Sequence, residues 1–279
     1  MKGKIMLLMQ TGLWISVAVL GYYCANYQSR LAPAPAHSKL VWSDEFDYTS
    51  LPDSTHWTYD LGDGCPEVCG WGNNELQYYT RGRAENARVE NGHLIIEAHR
   101  EAWHGKAYTS ARLVTRTKGD WRYGKIAVRA RLPKGRGVWP AIWMLPVEWK
   151  YGGWPNSGEI DIMEHVGYEP DSVFGTVHTK AYNTMNGKQA VQAHFLPDAA
   201  SRFHEYTIEW TPERMIFMID NHVYHTFVNR GADFATWPFN QRFYLLLNLA
   251  VGGNWGGKMG VDDSIWPQRL EVDYVRVYQ

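Results

Sequence analysis

The chain is 279 residues long, with 28 Lys and Arg against 29 Asp and Glu and a formal net charge of −1. So even a balance leaves no basic footprint for nucleic acid, and the length suits one large β domain or two small ones with a sizeable core. The 14 tryptophans are unusual: several adjoin Gly, Pro or Asn, where an indole faces solvent and offers a neutral sugar its ring, whereas Trp42, Trp57 and Trp210 lie in strand-like runs and read as core.

Lys2 and Lys4 precede an apolar stretch, residues 5–23, softened by Gln10, Thr11 and Gly12. Its most apolar part, from Leu13 onward, has the length of a signal-peptide core rather than of a bilayer span of ~20 residues. Residues 1–24 therefore read as an export signal, cleaved or kept as an N-terminal membrane anchor, and the expected location is secreted, periplasmic or cell-surface. Cys24 invites lipidation, but Tyr23 before it is large where bacterial lipid-attachment sites take a small residue. Residues 25–38, with Ala-Pro-Ala-Pro-Ala, have linker composition, and a single folded domain is expected over 39–279. There, short β-rich runs alternate with turns and helical periodicity is nearly absent. Residues 126–132 alternate cleanly, apolar on the even positions, and 93–98, 174–179, 206–210, 215–219, 243–251 and 270–278 are of the same kind. Many strands and few helices predict an all-β sandwich.

Cys65 and Cys69 share a loop too short to enclose a metal with two thiols, and no second Cys pair exists, which disfavours zinc. In an exported protein a local disulfide is expected, with local rigidity as its main effect. The next segment, residues 72–80 (Gly-Asn-Asn-Glu-Leu-Gln-Tyr-Tyr-Thr), carries adjacent Asn amides that can both donate to and accept from sugar hydroxyls. In 137–146, Trp139 and Trp143 are four apart and share a strand face. In the glycine loop 252–257, Trp255 is the only bulky residue, which suggests an exposed stacking platform.

The stretch that stands out is 154–166, Trp-Pro-Asn-Ser-Gly-Glu-Ile-Asp-Ile-Met-Glu-His-Val, with three carboxylates in six residues. Strand alternation puts Glu159 and Asp161 on one face and Ile160 and Ile162 on the other. Continued strictly, it would turn Glu164 into the core, where an unpaired charge is costly. A β-bulge at Ile162-Met163 slips the alternation by one residue and returns Glu164 to the face of the other two acids. Two such carboxyls, drawn to within ~5.5 Å, can cleave a glycosidic bond by double displacement. A solvated strand face, a calcium site or a salt-bridge network are the competing readings of the acids alone.

Glu-Ile-Asp-Ile-Met-Glu preceded by Trp-Pro-Asn-Ser-Gly resembles the active-site strand of glycoside hydrolase family sixteen, in the bulged form of laminarinases. Agarases and carrageenases share that form, whereas lichenases and xyloglucan-modifying enzymes lack the extra residue. The resemblance implies a β-jelly roll whose concave face is the substrate cleft, and a retaining endo-hydrolase of β-1,3-glucan, expected as a monomer and without a redox cofactor. By the same resemblance Glu159 is the nucleophile, Glu164 the general acid/base and Asp161 their partner. Asn73, Arg112, Trp139, Trp143, Trp154 and His178 match cleft positions. Segments 44–47 and 271–273 match those that supply a structural calcium site, with Glu45, the Gly92 carbonyl and Asp273 as donors. Two rivals follow: an agarase- or carrageenase-type galactan hydrolase, whose substrates often carry sulfate and then call for Lys and Arg around the cleft, and a non-catalytic glucan-binding protein, which would lack the two glutamates.

Overall fold

The computed structural model describes residues 39–231 and 233–279; the expected signal or anchor (1–24) and the linker (25–38) lie outside them. Among the described residues the strands form two sheets. In one the order is Ala190–Phe195, Ser172–His178, Glu159–Glu164, Val138–Pro146, Phe243–Val251, Arg112–Val114 and Thr58–Asp60, with Asp120–Trp121 also pairing Phe243–Val251. The other runs His222–Val228, Arg214–Ile219, His204–Trp210, Gly124–Arg131, Gln268–Tyr278, His93–Trp103, Lys106–Ser110 and Gln77–Tyr79, flanked by Leu40–Asp44 and Ala87–Glu90. The only helical elements among the described residues are two short 3-10 turns, Cys69–Gly72 and Thr184–Asn186.

The core lies between the sheets. Ile142, Met144, Ile160, Ile162, Met163, Val177, Leu245, Leu247 and Leu249 meet Ile126, Val128, Ala130, Tyr206, Ile208, Phe217, Val272 and Val275 there, all of them buried. Alternation explains this: in 126–130 the even apolar residues are buried while Lys125 and Arg129 stay partly exposed. Of the three tryptophans expected inside, Trp57 and Trp210 are fully enclosed, and Trp42 is partly buried and packs edge-on against Trp57. Phe243–Val251 is buried along its whole length. A second apolar cluster of Val114, Leu145, Tyr244 and Leu246, with Trp143, Val147 and Trp149 against it, covers its other face.

The expected bulge is present. Against Val138–Pro146, Met163 lies opposite Ile142 and Asp161 opposite Trp143, leaving Ile162 without a partner. Against Ser172–His178 the register slips between Asp161, opposite Thr176, and Glu164, opposite Phe174. Both Ile162 and Met163 are buried, so two consecutive side chains enter the core and the three acids keep one face.

On the outer face of the ten-stranded sheet the Glu45 carboxylate is bound by Arg276 at 2.7 Å, and that of Asp273 by Arg129. Neighbouring pairs, Glu271 with Arg131 at 2.6 Å and Glu97 with Arg88 at 2.8 Å, continue the ladder. With a guanidinium on each of the two carboxylates, the side chains expected to hold calcium do not form a ready cation cage.

Deleting Met163 removes the bulge together with a fully buried side chain. Loss of such a side chain alone costs about 2–5 kcal/mol, so the thermal midpoint is expected to fall by roughly 5–15 °C, read by a circular-dichroism melt. An unchanged midpoint would show that the strand does not need the extra residue.

Candidate active site

Three strands of the eight-stranded sheet build the site. Glu159 pairs across from His178 and Asp161 from Thr176, which puts the acids beside the alternate residues of Ser172–His178 that face away from the core. His178 Nε2 lies 3.3 Å from Asp161 Oδ2 and 3.7 Å from Glu159 Oε1. One donor atom from each of Glu159, Asp161 and His178 fits within a 4.8 Å span, a spacing a metal ion could also use. Farther along, the Trp139 indole N–H donates to Glu164 Oε1 at 3.1 Å, and Thr176 Oγ donates to Glu164 Oε2 at 3.4 Å.

Asp161 and His178 are buried, while the Glu159 side chain keeps 17 % of its surface open to the cleft. Burial pushes the carboxyls of Glu159 and Glu164 up to about 8, and the Asp161 charge pushes the same way; His178 opposes both. Asp161 itself is raised by burial. The cause is general: charges leaving water for a crowded, poorly polarisable surface favour their neutral forms, and like charges in contact cannot all ionise. The trio therefore retains protons at neutral pH, and the site can hold an ionised and a protonated carboxyl side by side.

The other expected cleft residues surround this group. Trp154 is exposed and its ring stands 5.8 Å from that of His178. Arg112 is buried: its Nε pairs with Asp60 at 3.0 Å, and its guanidinium stacks 4.5 Å from Trp71 and 4.7 Å from Trp143. Asn73 sits in the loop that closes on the glycine loop, its carbonyl accepting from Asn254 N while Asn74 Nδ2 donates to Asn254 Oδ1. Cys65 and Cys69 are bonded to each other in the same loop, two residues before Trp71.

One expectation is corrected. Trp255 is half-buried rather than a free platform: it packs edge-on to Trp139 at 5.7 Å and to Phe174 at 5.0 Å. Residues not anticipated are Thr176, Phe174, Asp60, Trp71, Tyr79 and Asn248. Thr176 and Phe174 had a signal, since they precede His178 by two and by four in the same strand and must share its face. The others enter only because distant strands become neighbours.

Residues 74–276 match the model of the family described as glycosyl hydrolases family 16. The chain is 55 % identical over 263 residues to a beta-glucanase of Rhodothermus marinus, covering 92 % of this chain and 90 % of that one. It is similar in structure to the laminarinase of the same organism, with a TM-score of 0.83 and 57 % identity over 86 % of this chain and 97 % of that one. It also resembles SCLam, a non-specific endo-beta-1,3(4)-glucanase co-crystallised with a glucan oligosaccharide, with a TM-score of 0.84 and 45 % identity over 88 % of this chain and 96 % of that one. The two sheets are thus those of the laminarinase jelly roll. The chain belongs to glycosyl hydrolase family 16.

Proposed function

We propose that this protein cleaves β-1,3-glucan within the chain and retains the anomeric configuration. The observation that carries the reading is the bulged strand, which sets Glu159 and Glu164 on one face with Asp161 between them. Ionised Glu159 attacks the anomeric carbon while protonated Glu164 gives its proton to the departing glycosidic oxygen. The result is a glycosyl ester on Glu159 and a free sugar hydroxyl. Glu164, now ionised, takes a proton from water as the water attacks the same carbon and frees Glu159. Because the three carboxyls are buried together, one ionised member disfavours ionisation of the next, and Asp161, poised between the two glutamates, in this way helps keep the acid protonated. His178 stabilises the charge that remains.

The names of the relatives support the linkage: the Rhodothermus protein is a beta-glucanase and its solved counterpart a laminarinase. The cleft supports a neutral substrate, since Trp139, Trp154 and Trp255 line it and Arg112 is already paired with Asp60. A sulfated galactan needs free cations that these residues do not offer. Both glutamates are present, against the non-catalytic reading. Export fits the Lys-flanked apolar segment at residues 5–23 and the Cys65–Cys69 disulfide, which persists in an oxidising compartment. Action as a monomer is part of the same reading. Calcium is assigned no step; if it binds at Glu45, Gly92 and Asp273, it does so by displacing arginine from the carboxylates, and the melting midpoint rises in calcium over chelator.

Glu159→Ala is expected to lose laminarin hydrolysis by about 10³-fold or more, with partial recovery on an α-glycosyl fluoride that fills the vacated space and brings its own leaving group; near-normal laminarin turnover would move the nucleophile elsewhere. Because the folded Glu164 carboxyl titrates at about 8 instead of 4.5, the fold binds that proton more tightly than the unfolded chain and loses stability as pH rises between those values. Glu164→Gln should therefore leave the melting midpoint unchanged at pH 4 and raise it by a few degrees at pH 9. Initial rates on laminarin, mixed-linkage β-glucan, agarose and carrageenan should be highest on laminarin and insensitive to added salt. Fastest turnover on either galactan would replace the substrate and keep the mechanism. Trp255→Ala is expected to raise KM for laminarin oligosaccharides and also to lower the midpoint by a few degrees, as the ring packs on Trp139 and Phe174.

A further inference from the structure

Beneath the cleft lies a buried polar group that the reaction does not use. Glu75, Gln77, Tyr79 and Asn248 are all buried, and each is hydrogen-bonded to another of the four. Val251 N–H donates to Gln77 Oε1 at 2.7 Å, which turns the Gln77 amide so that its Nε2 donates to Glu75 Oε2 at 2.6 Å. From the other side the Trp143 indole N–H donates to Asn248 Oδ1 at 2.7 Å, which turns the Asn248 amide so that its Nδ2 donates to the Tyr79 hydroxyl oxygen at 3.0 Å. The Tyr79 hydroxyl, having accepted there, directs its own proton to Glu75 Oε2 at 3.3 Å.

The direction of every link is thus set by two donors that cannot reverse, a backbone N–H and an indole N–H, with one carboxyl oxygen as the common acceptor. Gln and Asn side chains can flip and hydroxyls can rotate, but here each alternative would set donor against donor. The chain ends at the two aromatic parts of the cleft. One is Trp143, over which the Arg112 guanidinium stacks. The other is the start of the glycine loop carrying Trp255, where Leu76 N donates to Val251 O and Glu75 bridges to Gly252.

We propose that Glu75, Tyr79 and Asn248 act as one directional hydrogen-bond chain that positions Trp143, and Arg112 upon it, for the sugar beside Glu159. These are positioning residues: none of them need touch the reacting atoms. The inference rests on the glucanase reading for its kinetics, but not for its structural readout. A chain that orients a binding surface should influence KM more than kcat, because the orientation serves bound substrate and transition state alike. Its members should also fail together, since one broken link releases the rest.

Tyr79→Phe deletes one hydroxyl and keeps the ring; Asn248→Leu removes both polar ends at similar volume. Tyr79→Phe is expected to raise KM for laminarin oligosaccharides about 5-fold, in line with a lost buried hydrogen bond, with kcat within about 2-fold. Asn248→Leu should raise KM further. The double variant should be no worse than Asn248→Leu alone, and Glu75→Gln, which keeps an acceptor oxygen, should lie nearer to the parent than Glu75→Leu. In nitrogen–proton spectra the Trp143 indole signal, assigned with Trp143→Phe, should move in Tyr79→Phe although the substituted atom is two hydrogen bonds away. An unmoved indole signal, equal losses in kcat and kcat/KM, or multiplying effects in the double variant would each overturn the chain. If Asn248→Leu does not fold, Tyr79→Phe and the indole signal decide alone. If the parent fails to cleave laminarin the substrate reading falls, while the indole signal still tests the chain.

Discussion

The constraint on which this structure turns is that one strand must serve two masters. Its apolar residues close the core between two sheets, and its acids must all face the cleft. A regular strand alternates with period two and cannot do both with three acids spaced as Glu159, Asp161 and Glu164 are. The extra residue at Ile162-Met163 resolves the conflict, and both of its side chains are buried. Neighbouring strands accept the slip on both sides, so the bulge is built into the sheet's register and does not rest on one loop.

Bringing three carboxyls onto one dry surface has an energetic consequence as well as a chemical one. Their pKa values rise, chiefly through burial, and the fold is less stable near neutrality than it would be with neutral side chains at these positions. The same penalty is what leaves a proton available for a leaving group at a pH where an ordinary glutamate has none. His178 offsets part of it from the adjacent strand, and Trp139 and Thr176 give Glu164 hydrogen bonds that restrain its direction. Sites that tune acids in this way draw on stability held elsewhere, here in a core with aromatic and aliphatic side chains closely packed between the sheets.

The surroundings of the carboxyls are organised by pairs and chains rather than by free charges. Arg112 is paired with Asp60, a carboxylate that Arg116 also binds, and is held between two indoles, and its charge favours the ionised form of Glu159. Trp139, Trp255 and Phe174 meet edge to face, an arrangement that fixes ring planes through the positive rim and negative face of each ring. A cleft made this way suits a neutral polymer with many hydroxyls and alternating apolar faces.

What the sequence by itself determined are the features that depend on near neighbours. Alternation in 126–130, the apolar run 243–251, the turn-rich spacing and the bulge all follow from residues within a few positions of one another. The all-β class and the common face of Glu159, Asp161 and Glu164 were therefore legible, and the motif around them pointed to the family. The tertiary structure alone decided which side chains meet across long stretches of chain. Trp143 and Asn248 are 105 residues apart, and Tyr79 and Asn248 are 169 apart. No local period encodes those meetings. For the same reason Arg112 could not be recognised as buried and paired, nor Trp255 as packed on Phe174, nor Glu45 as ion-paired with Arg276. Each of these outcomes depends on which strand lies beside which, and strand order is set by the closing of the two sheets over a shared core.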